Sequence, residues 1–165
     1  STGLLVLSGN ADPGSWKTMG QSLTGKSVTC LSSNQAGHLY VGTKGYGVYR
    51  TTNLEDWTAF TAGLSTAQVT ALECDPLHPD RIFCAASPGQ FHVSCRQGAD
   101  FEVRRSLRAL PSADKWSNPT PPYQPIIRRI YSHPGRADLI LAEKVPSTGI
   151  GAAINDRLER ASADA

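Results

Sequence analysis

The chain has no apolar run near the roughly 18 residues that a membrane-crossing helix needs. Its first apolar stretch, Leu4-Leu5-Val6-Leu7, is too short for the core of a signal peptide, and no basic segment precedes it. Charge is sparse as well: 18% of the 165 residues are Asp, Glu, Lys or Arg, and a formal net charge of +2 is too mild to imply a nucleic-acid partner. Cys30, Cys74, Cys84 and Cys95 include no CxxC pair and have no histidine at zinc-finger spacing, so no structural metal site is expected. Small buried thiols are the expected state. Cys84 and Cys95 flank a hairpin around Ser87-Pro88-Gly89 and are the pair to consider for a disulfide in an exported protein. The chain begins at Ser1 rather than Met, so a targeting signal is not legible from it.

Glycine and proline are what the chain does have. Fifteen Gly and 11 Pro, spread without a fixed triplet, fit many short strands joined by tight turns. A 165-residue chain with 39% hydrophobic residues can bury a proper core, about two-thirds of its unfolded surface.

An internal repeat organises these strands. Trp16, Trp57 and Phe101 sit in similar surroundings at nearly equal intervals, and the step from Trp16 to Trp57 also carries Leu23, Val28 and Leu31 onto Leu64, Val69 and Leu72. The segments 37–42, 80–85 and 138–142 then read as equivalent buried strands. Asp75-Pro76-Leu77-His78-Pro79-Asp80 and the segment opening at His133-Pro134-Gly135 read as loops between first and second strands, because proline removes a ladder donor and Gly and Asp suit turns. Segments 46–50 and 91–95 supply third strands, and those opening at Trp57 and Phe101 supply fourth strands. The expected fold is all-β, made of about three four-stranded antiparallel units of the β-propeller type, with at most a short helix near Ala152 to Ala161. Residues 1–146 form the repeat domain in this reading, and 147–165 a tail.

The turns before the aromatics resemble the Asp-box, or bacterial neuraminidase repeat, whose phrase approximates S-x-D-x-G-x-T-W. Ser94-Cys95-Arg96-Gln97-Gly98-Ala99-Asp100-Phe101 keeps Ser94, Gly98 and the terminal aromatic, with Arg96 in place of Asp. Thr51-Thr52-Asn53-Leu54-Glu55-Asp56-Trp57 keeps Thr, Asn53 and Trp57 but is one residue short, and Ser8 to Trp16 is one residue long. Sortilin-like receptors, photosystem II assembly factors, xyloglucan hydrolases and sialidases carry similar repeats. The resemblance implies a propeller fold, structural roles for the box residues and a slight preference for an extracytoplasmic location. Because a propeller carries unrelated sites, it assigns no chemistry.

No catalytic constellation assembles from the sequence. A sialidase-like site would need an arginine cluster with a tyrosine and acidic partners; Arg104, Arg105 and Arg108 lie just beyond the last turn phrase, and Arg128 and Arg129 lie in a strand near Tyr123 and Tyr131, without a spacing that identifies such a site. His38, His78, His92 and His133 read as turn or surface residues rather than ligands, and Gly42 to Gly47 as a hairpin turn rather than a phosphate loop. No metal or cofactor is implied. The third repeat is longer than the ordinary one, the step from Val69 to Ile127 exceeding that from Val28 to Val69. The excess falls in the Pro-rich stretch Leu110 to Pro125, which carries Trp116 and Tyr123. Proline limits ordering entropy and aromatics cover sugar or peptide surfaces, so Trp116, Tyr123, Arg128 and Arg129 are the candidate binding residues.

These features favour a non-catalytic binding or scaffold module for a protein or glycan over a glycoside hydrolase-like fragment. The chain opens on a third and a fourth strand and closes on a first and a second. Three units cannot comfortably surround an axis, so either a homodimer closing one propeller or the remainder of a larger propeller is expected to cover the open edges.

Overall fold

In the computed structural model the described residues are 3–104 and 125–144. Among them, twelve strands carry nearly all the regular structure: β1 (Leu4–Ser8), β2 (Lys17–Ser22), β3 (Val28–Ser33), β4 (Leu39–Thr43), β5 (Gly47–Thr51), β6 (Thr58–Phe60), β7 (Val69–Cys74), β8 (Ile82–Ala86), β9 (Gln90–Ser94), β10 (Glu102–Val103), β11 (Ile127–Ser132) and β12 (Ile140–Lys144). A 3-10 turn covers Pro13–Ser15, and there is no α-helix among the described residues. Strands pair antiparallel with their sequence neighbours, giving a β1-β2 pair, the four-stranded sheets β3-β4-β5-β6 and β7-β8-β9-β10, and a β11-β12 pair. The expected all-β, four-stranded antiparallel architecture is thus the one observed. The segment carrying Trp116 and Tyr123 and the tail from residue 145 lie outside the described residues.

The repeat is visible in backbone detail. Ladder register slips between Val28 and Cys30, between Val69 and Ala71, and between Ile127 and Arg129. Val28, Val69 and Ile127 are the positions that correspond in the sequence repeat, so the irregularity recurs once per unit at the same place. A bulge bends its strand and increases the local twist, so the first strand of each unit is re-aimed in the same way. β3 consequently packs beside β7, and β7 beside β11.

Two apolar layers hold the sheets face to face. Tyr40, Val48, Val69, Leu72, Cys74, Ile82, Cys84 and Phe101 fill the space between the two four-stranded sheets. Ala71, Phe83, Ala85, Phe91, Val93, Ile127 and Ile130 fill the next, against β11 and β12. β8 contributes to both, Ile82 and Cys84 on one face and Phe83 and Ala85 on the other. Burial of both faces is why it reads as a continuous apolar run instead of an alternating one, and each large side chain so buried stabilises by about 1.5–3 kcal/mol.

Side chains close the turns between third and fourth strands. Thr51 Oγ1 accepts from the amides of Asn53 and Leu54 at 3.2 and 3.0 Å, and Asn53 Oδ1 accepts from those of Glu55 and Asp56 at 3.0 and 2.9 Å. Ser94 Oγ accepts from the amides of Arg96 and Gly98, at 3.2 and 3.0 Å. Arg96, which stands where the repeat phrase has Asp, pairs instead with Asp100. Small hydroxyl and amide side chains suit these positions because they supply acceptors to backbone donors that the tight turn leaves unpaired.

Cys30, Cys74, Cys84 and Cys95 are free thiols; Cys74 and Cys84 are buried as expected, Cys84 on β8 opposite His92, whereas Cys95, expected to be buried, lies exposed beyond the end of β9. Burial pushes the thiols of Cys30 and Cys74 up to about 11, which keeps them protonated and inert. His92, read as a turn or surface residue, is completely buried. Its Nε2 lies 3.0 Å from Ser65 Oγ, tying the loop before β7 to β9.

His92 also makes stability depend on pH. Burial lowers its pKa from the ordinary 6.5, so the unfolded chain binds a proton that the folded one refuses. The resulting stabilisation is complete above about 6.5 and is lost as pH falls below that value, at no more than ~1.4 kcal/mol per pH unit for one proton. Urea midpoints of the protein should therefore decline between pH 7 and 5 more steeply than those of His92→Gln; parallel declines would remove His92 as the source.

Candidate functional site

The first strands β3, β7 and β11 run side by side, and the loops that leave them converge on one cleft of about 260 Å³. Ser32, Ser33, Asn34 and Gln35 line it from the end of β3, Glu73 to Pro76 from the end of β7, and Tyr131, Ser132 and Pro134 from the end of β11. The repeat explains the convergence. The step that carries Val28 to Val69 carries Ser32 to Glu73, and the step from Val69 to Ile127 carries Glu73 to Tyr131, so three equivalent positions on three adjacent strands meet.

Glu73 is the centre of the arrangement. Its Oε1 accepts from the Ser132 amide at 3.1 Å, and the Ser32 hydroxyl is a second hydrogen-bond partner. Ser32 Oγ in turn accepts from the Cys74 amide at 2.9 Å. Burial pushes the Glu73 carboxyl above its ordinary value, the Ser132 and Ser32 hydrogen bonds oppose the shift, and Asp75 reinforces it. The hydroxyl of Ser132, a residue only 5% exposed, has no partner among the described residues.

Asp75 plays a different part. Its Oδ1 accepts from the amides of Leu77 and His78 at 2.8 and 3.2 Å, and its Oδ2 accepts from Arg81 Nε at 2.5 Å within an ion pair. Burial alone would raise the carboxyl, but the Leu77 amide, the Arg81 guanidinium and the His78 amide together hold it below the usual aspartate value. Both oxygens are committed to shaping the β7–β8 loop. Crosslinks from the first sheet steady the rim, with Asn34 Nδ2 donating to the Pro79 carbonyl at 3.0 Å and Gln35 Nε2 to the Pro76 carbonyl at 3.2 Å.

Of the binding residues expected from sequence, Arg128 and Arg129 are exposed on β11 but do not line the cleft. Arg129 reaches Glu143 at 3.5 Å across the β11-β12 pair. The residues of the turn phrase occupy turns, as their type demands, but their aromatics differ: Phe101 is 3% exposed, Trp57 half-buried and Trp16 56% exposed. Sequence reasoning did not single out Ser32, Glu73 or Ser132. The signal that finds them is the repeat register itself, which shows a serine, a glutamate and a tyrosine at one equivalent position. Among the described residues no group of three or more His, Cys, Asp or Glu is placed to hold a metal ion, and no helix is long and apolar enough to cross a membrane.

Solved structures resemble this fold. YCF48 bound to D1 peptide superposes with a TM-score of 0.63 at 14% identity, over 89% of this chain and 43% of that one. A GH74 xyloglucanase from Xanthomonas campestris gives 0.55 at 14%, over 78% and 21%. An ancestral GH74 enzyme gives 0.52 at 24%, over 70% and 13%. The likeness is one of propeller-type fold, and the chain spans less than half the length of each of these proteins. No curated protein matches it. The family described as threonylcarbamoyl-AMP synthase, C-terminal domain, matches residues 75–163, from the cleft loop after β7 through β12 and beyond. That match covers more than half of the 165 residues, and the chain accordingly belongs to this family rather than being placed by family in the Asp-box repeats.

Proposed function

We propose that this chain is a non-catalytic binding module that receives a segment of a partner protein in the cleft at the ends of β3, β7 and β11. The observation that carries the reading is the meeting of Ser32, Glu73 and Tyr131, with the unpartnered Ser132 hydroxyl beside them, in a concave site built from three repeats. YCF48, whose fold this chain resembles, is bound to a peptide in its solved structure, which supports a protein segment over a glycan as the occupant. The family name supports an accessory place beside a synthase rather than the synthase chemistry itself, because it refers to a C-terminal domain. In this proposal residues 1–146 are the binding domain, the Asp-box resemblance describes its turns, and the Trp116 and Tyr123 stretch with Arg128 and Arg129 provides further contact. The open sheet edges are covered by a second copy or by the rest of a larger propeller.

One observation favours the glycoside hydrolase alternative, the raised carboxyl of Glu73 in a cleft it shares with the ionised Asp75. Against it, Asp75 commits both oxygens to the loop and to Arg81, leaving neither to direct a water. A random-peptide array and a glycan array probed with the full chain, beside a panel of aryl glycosides, separate the readings. Peptide binding without turnover is expected. Hydrolysis, or binding to glycans alone, would overturn the proposal. Trp116→Ala is expected to weaken peptide binding several-fold with the fold intact, and unchanged affinity would remove that stretch from the contact surface.

A further inference from the structure

We propose, resting on the binding reading above, that the cleft is a specificity pocket for one cationic side chain, an arginine or lysine of the partner segment, with Glu73 as its counter-charge. Charge decides the class of ligand. Among the described residues that line the cleft there is no lysine, arginine or histidine, and the two ionisable carboxyls are Glu73 and Asp75. Asp75 is already neutralised, since Arg81 forms an ion pair with it and also donates to the Ala137 carbonyl at 3.4 Å. Glu73 has no such cationic partner among the described residues. Its hydrogen bonds come from the Ser132 amide and the Ser32 hydroxyl, which are neutral. A carboxylate offers about four acceptor positions, so roughly half remain for a ligand.

The surroundings fit a long cationic side chain better than other groups. A volume near 260 Å³ lies below the roughly 300–1,000 Å³ of sites for drug-sized ligands and is suited to a single side chain. Tyr131, half exposed at the rim, presents a ring on which an aliphatic stem or a guanidinium plane can lie. The buried Ser132 hydroxyl supplies a further acceptor where it now has no partner among the described residues. Ser32, Glu73 and Ser132 come from three different sheets, so the lining is complete only when β3, β7 and β11 are assembled. A guanidinium binds Glu73 through charge-assisted hydrogen bonds, whereas a neutral isostere of the same shape does not gain that term.

The test uses the full chain and a random-peptide array, followed by the bound peptides resynthesised with citrulline or norleucine at their basic positions. Enrichment of Arg or Lys is expected, together with at least a tenfold loss of affinity on citrulline or norleucine replacement. Glu73→Gln, which keeps the shape and the acceptor for the Ser132 amide, should erase that difference. Tyr131→Ala, a change at an exposed position, should weaken basic peptides several-fold and serves as the second variant if Glu73→Gln does not fold. Peptides that bind without basic enrichment, or whose neutral analogues bind as well as they do, overturn this inference and leave the binding module standing. An array on which nothing binds overturns both.

Discussion

Alanine at Gly63 is expected to destabilise the fold by about 2–5 kcal/mol, the sum of a left-handed backbone penalty and a broken interior hydrogen bond. Gly63 has φ +76°, and a Cβ built there would overlap the carbonyl oxygen and backbone of Phe101. The two segments approach so closely because the Phe101 amide donates to the Ala62 carbonyl at 2.9 Å, joining the loop after β6 to the turn before β10. A methyl group must push these backbones apart, and Phe101 cannot move without opening the layer between the two four-stranded sheets. Gly25 is the control: its φ is +83°, but a Cβ there meets nothing within 4 Å. Gly25→Ala should therefore cost only the conformational term, about 1–2 kcal/mol. Chemical denaturation of both variants separates the effects, and equal losses would show that strain, not the close approach, dominates at Gly63.

The same contrast explains what was legible in the sequence. Strand positions follow from short buried apolar runs and from Gly, Pro and Asp at the joints, and these signals are local. The recurring interval between Trp16 and Trp57 added the long-range part, because equal positions in repeats must fill equal places in a stacked structure. The order of strands within each unit, the loops after β7 and β11, and the two terminal pairs all emerge from that pattern. The cleft did not, since its chemistry lies in the difference between repeats. Ser32, Glu73 and Tyr131 are ordinary singly and become a site only when three strands are laid side by side. His92 was misplaced for a related reason: β9 is buried on both faces, so a histidine there is enclosed whichever way it points, and only the sheets stacked on either side reveal that. Cys95 is exposed where a buried thiol was expected because β9 ends just before it, and Cys84 stands opposite His92 instead.

Removing the three turn aromatics one at a time should give three different stabilities although the sequence places them at equivalent positions. Phe101 closes the layer formed by Tyr40, Val48, Leu72 and Ile82, and Phe101→Ala is expected to cost about 3–5 kcal/mol, as for other buried aromatic truncations. Trp57 is half-buried and its indole Nε1 donates to the Leu54 carbonyl at 3.2 Å, so Trp57→Ala should cost about 1–3 kcal/mol. Trp16 covers Gly9 but is 56% exposed, and Trp16→Ala should stay within about 1 kcal/mol. The order follows the number of sheets that flank each turn. Phe101 lies between two complete sheets, whereas Trp16 belongs to the β1-β2 pair, joined to its neighbour through contacts such as the Ser22 hydroxyl donating to the Leu54 carbonyl at 2.8 Å. Equilibrium denaturation at low micromolar concentration measures all three. A loss at Trp16 as large as that at Phe101, growing with protein concentration, would mean that the β1-β2 face is covered in solution by a second chain, and the ranking from burial in a single chain would be wrong.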